Sequence, residues 1–286
     1  MKPVPTIPDF ELVRPIGRGS YGEVWLARSV TGLWRAIKIV DRATFTDDRP
    51  FLREFNGIRR YQRAALGQPS QLALLHVGRD DTAGRFYYVM ELADDATATD
   101  EFNPQHYVAL TLKELLCRRK VLPAGEVIRL GAQLARALSL LHHHRLIHRD
   151  VKPSNIILVQ GVPKLADVGL VSSSEATLSS VGTPGYAPPE GPGTQTADLY
   201  SVGKVLYELV TGLAPTEFPR LPPDAPARAD AHDLAELNVV LLKACAVAPN
   251  RRYAGAELLA QDLELLAAGR SVAAHEAARR RWRRLA

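Results

Sequence analysis

The stretch His148-Arg149-Asp150-Val151-Lys152-Pro153-Ser154-Asn155, followed by Leu165-Ala166-Asp167-Val168-Gly169, decides the fold. Between the two, Ile156-Ile157-Leu158-Val159 predicts a short buried strand, Gly161 and Pro163 a hairpin turn, and Lys164-Leu165-Ala166 the return strand. Such a hairpin gathers an acid, Asp150, an amide, Asn155, and a second acid, Asp167, around one cleft. The set suits phosphoryl transfer. Asp150 is able to orient a hydroxyl and accept its proton, while Asn155 and Asp167 offer hard oxygens to Mg²⁺. Asp150 alone would read as a solvated charge. The ordered set does not, because further motifs flank it on both sides.

On the N-terminal side, Phe10–Ile16 predicts a strand leading into Gly17-Arg18-Gly19-Ser20-Tyr21-Gly22. A GxGxxG also occurs in dinucleotide folds, where a helix follows it. Here a second strand follows, Val24-Trp25-Leu26-Ala27, which favours a β-hairpin lid over a triphosphate. Trp34–Val40 predicts the next strand and places Lys38 inside an apolar run, where an unpaired ammonium is costly. Asp47, Asp48 and Pro50 open a helix with Phe51, Phe55 and Ile58 on one face. Glu54 is the only acid between Pro50 and Gly67, which makes it the one partner for Lys38 in that segment. Phe86–Leu92 predicts a strand that ends at a hinge. Residues 94–110 are polar and acidic at their start and are expected to form a solvated loop.

On the C-terminal side, Leu112, Leu115 and Leu116 predict a short helix, and Val127, Leu130, Leu134, Leu138 and Leu141 a long amphipathic one. His142-His143-His144 follows and is expected to be a solvated helix end, since consecutive helical side chains diverge. Residues 172–180 are rich in hydroxyls. Asp198 starts another amphipathic helix that ends at Gly212, and residues 214–228 are rich in proline. Helices are predicted over 234–246 and 256–266.

In this order the motifs resemble those of a eukaryotic-type protein kinase, and the likeness runs over residues 10–268. The pattern is most similar to bacterial serine/threonine kinases, a subset of which resembles this chain in Glu91–Asp95, Gly161–Asp167 and Pro188–Gly193. Lys152 and Thr183 match the serine/threonine pattern and not the tyrosine-specific one. Val168 departs from it, since most kinases carry Phe there, and Pro188 stands where Ala is usual. The resemblance implies an α+β, bilobal fold: a small β-rich N-lobe, about residues 10–91, and a mainly helical C-lobe, about 95–268. Residues 269–286 would form a basic C-terminal helix.

The resemblance also implies roles. Asp150, Lys152, Lys38 and Glu54 would be catalytic, and Asn155 and Asp167 would hold Mg²⁺, with Mn²⁺ as the other candidate. ATP would lie between the lobes against Ile16, Gly17, Gly19, Gly22, Val24, Ala36, Lys38, Met90, Glu91, Leu92, Ala93 and Ile157. Thr177, Ser179, Ser180 and Thr183 would belong to the activation segment. Arg149, Asp198, Glu190 and Arg252 would hold the architecture, with Asp198 accepting backbone donors of the catalytic loop and Arg252, with Arg251 as the other candidate, pairing with Glu190. The implied activity is transfer of the γ-phosphate of ATP to Ser/Thr hydroxyls of proteins, the chain's own activation loop included. A pseudokinase without turnover is disfavoured because every polar catalytic position is filled. A small-molecule kinase is disfavoured by Thr183-Pro184 and Pro188-Pro189-Glu190, which resemble a protein-substrate platform.

Composition agrees with a globular protein. The 286 residues are 46% hydrophobic and 23% charged, with a net charge of +5. Arg279, Arg280, Arg281, Arg283 and Arg284 carry much of that charge; with Trp282 they fit a solvated basic helix end or, as the resemblance to kinases that enter a membrane just after this point implies, a segment that adsorbs to an anionic membrane surface. No nucleic-acid partner is expected, and the sequence sets no oligomeric state. Two cysteines, Cys117 and Cys245, form no disulfide framework, and no apolar run reaches membrane-spanning length. The expected location is the cytoplasm, or the inner face of the membrane if the chain is part of a longer protein.

Overall fold

The computed structural model describes residues 5–19, 21–97, 101–168, 172–173 and 183–275. The chain divides into two compact units: Met1–Glu114 with Ser154–Ser172, and Leu115–Pro153 with Ser173–Ala286. The long activation-segment stretch with Thr177, Ser179 and Ser180, and the arginine cluster 279–284 with Trp282, lie outside the described residues.

The first unit is built on an antiparallel five-stranded sheet of order β1-β2-β3-β5-β4. Its strands are β1 (Phe10–Gly19), β2 (Gly22–Ser29), β3 (Trp34–Asp41), β4 (Leu74–Asp80) and β5 (Arg85–Met90). Strand alternation sorts the side chains onto two faces. Ile37 and Ile39 of β3 share one face with Ala27, Tyr87 and Val89, where Ile7, Phe10, Leu12 and Trp25 complete an apolar cluster. Lys38 therefore points to the other face. There it stands opposite Val24 of β2 and Tyr88 of β5.

Helix α1 (Asp48–Ala65) begins where Asp47 caps it, accepting from the Arg49 amide at 2.7 Å. It buries Phe51, Glu54, Ile58 and Tyr61. Strand β4 went unread in the sequence. It is an edge strand, only partly buried, with Gly78 in its middle, so it carries no clean alternation.

Two expectations are corrected in this unit. The described parts of 94–110, residues 94–97 and 101–110, are not a purely solvated loop. Tyr107 and Ala96 are buried, the Tyr107 hydroxyl donates to the Ala93 carbonyl at 3.0 Å, and Arg14 donates to the carbonyls of Pro104 and Tyr107. Phe102 bridges Trp34 and Tyr107. The aromatics scattered through a polar segment were the unread signal. Pro163 is not in the hairpin turn either; it is paired with Leu158 inside a strand. The turn is Gln160-Gly161, both at positive φ, and Asp94 accepts from both of their amides, at 2.7 and 2.8 Å.

The second unit is helical. It follows α2 (Leu112–Arg119) with α3 (Ala124–His143), the short strand β6 (Leu146–Ile147), α4 (Gln195–Thr211), α5 (Ala231–Ala244) and α6 (Ala256–Ala267). Leu130, Leu134, Leu138 and Leu141 of α3 recur at helical spacing and are buried. Fully buried Val202, Leu206 and Leu209 of α4 and Leu259 and Leu263 of α6 supply the rest of this core. Apolar burial of this kind contributes about 25 cal/mol per Å².

Candidate active site

The stretch that opened the reading falls across both units, and each unit assembles its own polar constellation. In the helical unit the organiser is Asp198, in the first turn of α4 and almost fully buried. One of its oxygens accepts from the His148 amide at 2.9 Å and stands 2.9 Å from His142 Nε2. The other accepts from the Arg149 amide at 2.9 Å. Arg149 has φ +71°, a left-handed conformation that costs a non-glycine residue about 1–3 kcal/mol. The carboxylate of Asp198 holds the backbone in that shape. His142 is a third correction: it is no solvated helix end but a buried partner of Asp198, while His143 and His144 are exposed. Its position at the last inward turn of α3 was the signal.

Beyond that turn Asp150, Lys152 and Thr183 form a triangle. The Thr183 hydroxyl donates to Asp150 Oδ1 at 2.9 Å. Lys152 Nζ stands 2.8 Å from Asp150 Oδ2 and donates to Thr183 Oγ1 at 2.9 Å. Thr183, expected in the activation segment, thus stands at the acid. Further along, Glu190 receives both Nη atoms of Arg252, at 2.5 and 2.9 Å. Burial would raise the Glu190 carboxyl, but hydrogen bonds from Arg252 outweigh it and hold it below the usual range. Arg252 also donates to the carbonyls of Ala246, Val247 and Thr196, so its buried guanidinium is fully engaged.

In the sheet unit, Lys38 Nζ stands 2.5 Å from Asp167 Oδ1 and 3.4 Å from Glu54 Oε1. Both Lys38 and Glu54 are 2% exposed. Burial disfavours the ammonium, but its surroundings (Tyr88, Asp167 and Glu54) outweigh that and hold Lys38 firmly protonated. Glu54 is pushed up by burial, against the pull of Lys38, and its Oε2 has no hydrogen-bond partner. The lysine therefore leans toward Asp167.

Asp167 has φ +57°, and the Ala166 amide donates to the Asn155 carbonyl at 2.8 Å, which ties the two oxygen donors together along the strands β7 (Ile156–Val159) and β8 (Val162–Leu165). A carboxylate and a carboxamide are hard-oxygen donors that fit Mg²⁺, an ion that keeps waters and takes few protein ligands. Among the described residues no group of three or more His, Cys, Asp or Glu could hold a metal.

The glycine-rich turn packs down on this ion pair. A Cβ at Gly19 would meet Lys38 Nζ at 3.0 Å and Asp167 Oδ1 at 3.1 Å, and one at Gly22 would meet the Ile39 carbonyl oxygen at 2.2 Å. Only glycine permits the approach at Gly22, where the obstacle is backbone, while at Gly19 the two side-chain ends would have to give by a few tenths of an ångström. Gly17 pairs with Val24, and Ala36 with Met90, across the ladder. Ile16, Leu92 and Ile157 are half-buried and Ala93 is buried. Glu91 is anchored from its side chain: Lys164 Nζ at 2.6 Å and the Ala73 amide at 2.8 Å both reach Oε1. The sequence held no signal for that use of Lys164.

The model of the protein kinase domain matches residues 10–259. The chain belongs to the protein kinase family. The serine/threonine-protein kinase PknB of Mycolicibacterium smegmatis is 33% identical to this kinase over 281 residues, covering 89% of this chain and 42% of that protein. PrkC of Bacillus subtilis is 29% identical over 278 residues, covering 89% and 40%. The crystal structure of the Mycobacterium tuberculosis PknI kinase domain matches with a TM-score of 0.63 at 27% identity, over 91% of this chain and 97% of that one. The chain spans about two-fifths of the length of these curated relatives.

It is the catalytic domain of a bacterial, eukaryotic-type serine/threonine protein kinase, with the bilobal α+β fold, and the family uses ATP and a divalent metal. Among the described residues no helix is long and apolar enough to cross a membrane.

Proposed function

We propose that this kinase transfers the γ-phosphate of ATP to Ser and Thr hydroxyls of proteins, its own activation segment included, with Mg²⁺ as the accompanying ion. The observation that carries the reading is the triangle in the helical unit. Asp150 accepts a threonine hydroxyl at 2.9 Å, the geometry in which it would receive the hydroxyl of a substrate. Asp150 orients that hydroxyl and takes its proton. Lys152, within reach of the same oxygen, offsets negative charge on the phosphoryl group. In the sheet unit Asn155 and Asp167 would hold Mg²⁺, which when bound neutralises charge on the phosphates. Lys38 would turn from Asp167 to the α- and β-phosphates, braced by Glu54. The glycine turn lets the backbone close on phosphate oxygens, and the backbone of Glu91–Ala93 meets the adenine edge behind Met90. Glu190–Arg252 and Asp198 keep the helical unit's loops in place.

We place the kinase domain at residues 10–268, with an N-lobe of 10–91 and a C-lobe of 95–268, and we read 269–286 as a basic segment that adsorbs weakly to anionic membranes from the cytoplasm. Salt-sensitive co-sedimentation with anionic vesicles, lost on removing residues 273–286, tests that segment. Incubation with Mg-ATP and a panel of proteins, followed by phosphosite mapping, tests the activity. Phosphate on Ser or Thr, among them Thr177, Ser179 or Ser180, supports it; no transfer by the intact chain refutes it.

A further inference from the structure

Helix α1 has an outer face that the reaction does not use. Arg49, Arg53, Arg60 and Arg63 stand on it, all exposed. At 100° per residue the offsets 4, 11 and 14 from Arg49 fall within about 40° of a single line. Exposed Asn56 takes the remaining position on that line, and Arg59 flanks it against the Phe55 ring at 5.8 Å. No carboxylate answers them: among the described residues none pairs with any of these arginines. The helix's only acids are Glu54, which is buried, and Asp48, which is bound to Arg42. Like charges at helical neighbour spacing oppose helix formation. The stripe is thus a row of free guanidiniums held in a fixed register by a helix anchored on its other side.

We propose that this stripe is a docking surface for an acidic, extended protein segment. From Arg49 to Arg63 the helix rises about 21 Å, which about seven residues of extended chain span. The guanidinium fork matches a carboxylate in two parallel hydrogen bonds, so a row of Asp or Glu side chains would be read in register. A membrane fits less well. Helices that adsorb to lipid bury an apolar face in it, and α1 turns Phe51, Ile58 and Tyr61 into its own unit, leaving Leu52, 42% exposed, beside the stripe. The surface lies outside the nucleotide and hydroxyl constellations, and the proposal stands apart from the reading of catalysis.

Fluorescence anisotropy of the full chain with a fluorescein-labelled peptide of seven glutamates tests it, with seven glutamines as control; neither peptide has a hydroxyl to phosphorylate. The expected result is saturable micromolar binding of the glutamate peptide alone, weaker as salt rises. Arg53→Glu/Arg60→Glu should weaken it at least tenfold, and the milder Arg53→Gln/Arg60→Gln should do so by a smaller factor with an unchanged thermal midpoint. Equal binding by the parent and both variants overturns the proposal and assigns the peptide to another basic segment. It is overturned equally if the stripe variants leave peptide binding intact but abolish binding to phosphatidylserine vesicles or to a single-stranded oligonucleotide.

Discussion

Asp198→Asn tests the architecture of the catalytic loop most directly. The carboxylate satisfies two buried amides, His148 and Arg149, and contacts buried His142, all at 2.9 Å. An asparagine places its oxygen on one side only. Set toward His148 and His142, it keeps those contacts but turns an NH₂ at the Arg149 amide. A buried N–H left without an acceptor costs about 1–3 kcal/mol, and the two retained contacts lose their charge assistance, about 1 kcal/mol each. The expected loss is about 3–5 kcal/mol. Arg149, at φ +71°, then loses the carboxylate that accepts from its amide, and the adjacent Asp150 loses part of its bearing on the hydroxyl. Urea unfolding followed by far-ultraviolet circular dichroism should show the loss of stability, and phosphotransfer assays at saturating ATP a fall in kcat of at least tenfold. A variant within about 1 kcal/mol of the parent, with kcat unchanged, would refute the role given to Asp198.

Asp150→Asn should retain nucleotide binding and lose about 10²–10⁴ in turnover, the range for a general base, while Asp167→Asn should also weaken Mg-ATP binding, read by titration calorimetry. Glu190 has a depressed carboxyl in the folded state, so its charge stabilises fully above the ordinary value of 4.5 and is lost as pH falls through the lower native value. Glu190→Gln should therefore be less stable than the parent at pH 7, and the gap should narrow as unfolding is measured from pH 5 towards 3. Val168 is completely buried, so Val168→Phe should cost about 1–3 kcal/mol by overpacking, seen as a lowered denaturation midpoint. Replacing Thr177, Ser179 and Ser180 together by alanine should lower kinase activity measured on an external protein substrate; unchanged activity would mean that phosphate on that loop is not a switch.

The family and most elements were legible in the sequence because they rest on local signals. The glycine turn, the alternating strands around Lys38, the capped start of α1 and the Asp150–Asn155 spacing are each fixed by a few consecutive residues. Pairings across long separations were legible only where a motif pointed to the partners, as with Glu190 and the arginine pair Arg251-Arg252, of which the structure chooses Arg252, or where elimination left one candidate acid, as with Glu54. Even there the structure decided the balance. Lys38 sits closer to Asp167 than to Glu54, because two carboxylates compete for one buried ammonium and distance in space settles which prevails.

The rest was decided by packing that no local pattern encodes. His142 is buried because the end of α3 meets Asp198 on α4, 56 positions along the chain. Residues 101–107 are held because Arg14 and Trp34, far back in the sequence, supply donors and an aromatic face for them. Glu91, just past the end of β5, is held through its side chain by Lys164 of β8, 73 positions along the chain and in a different sheet. Sequence determines the propensity of each short piece and the chemistry it carries. Which polar groups end up buried together, and hence which must satisfy one another, is settled only when the pieces share a core.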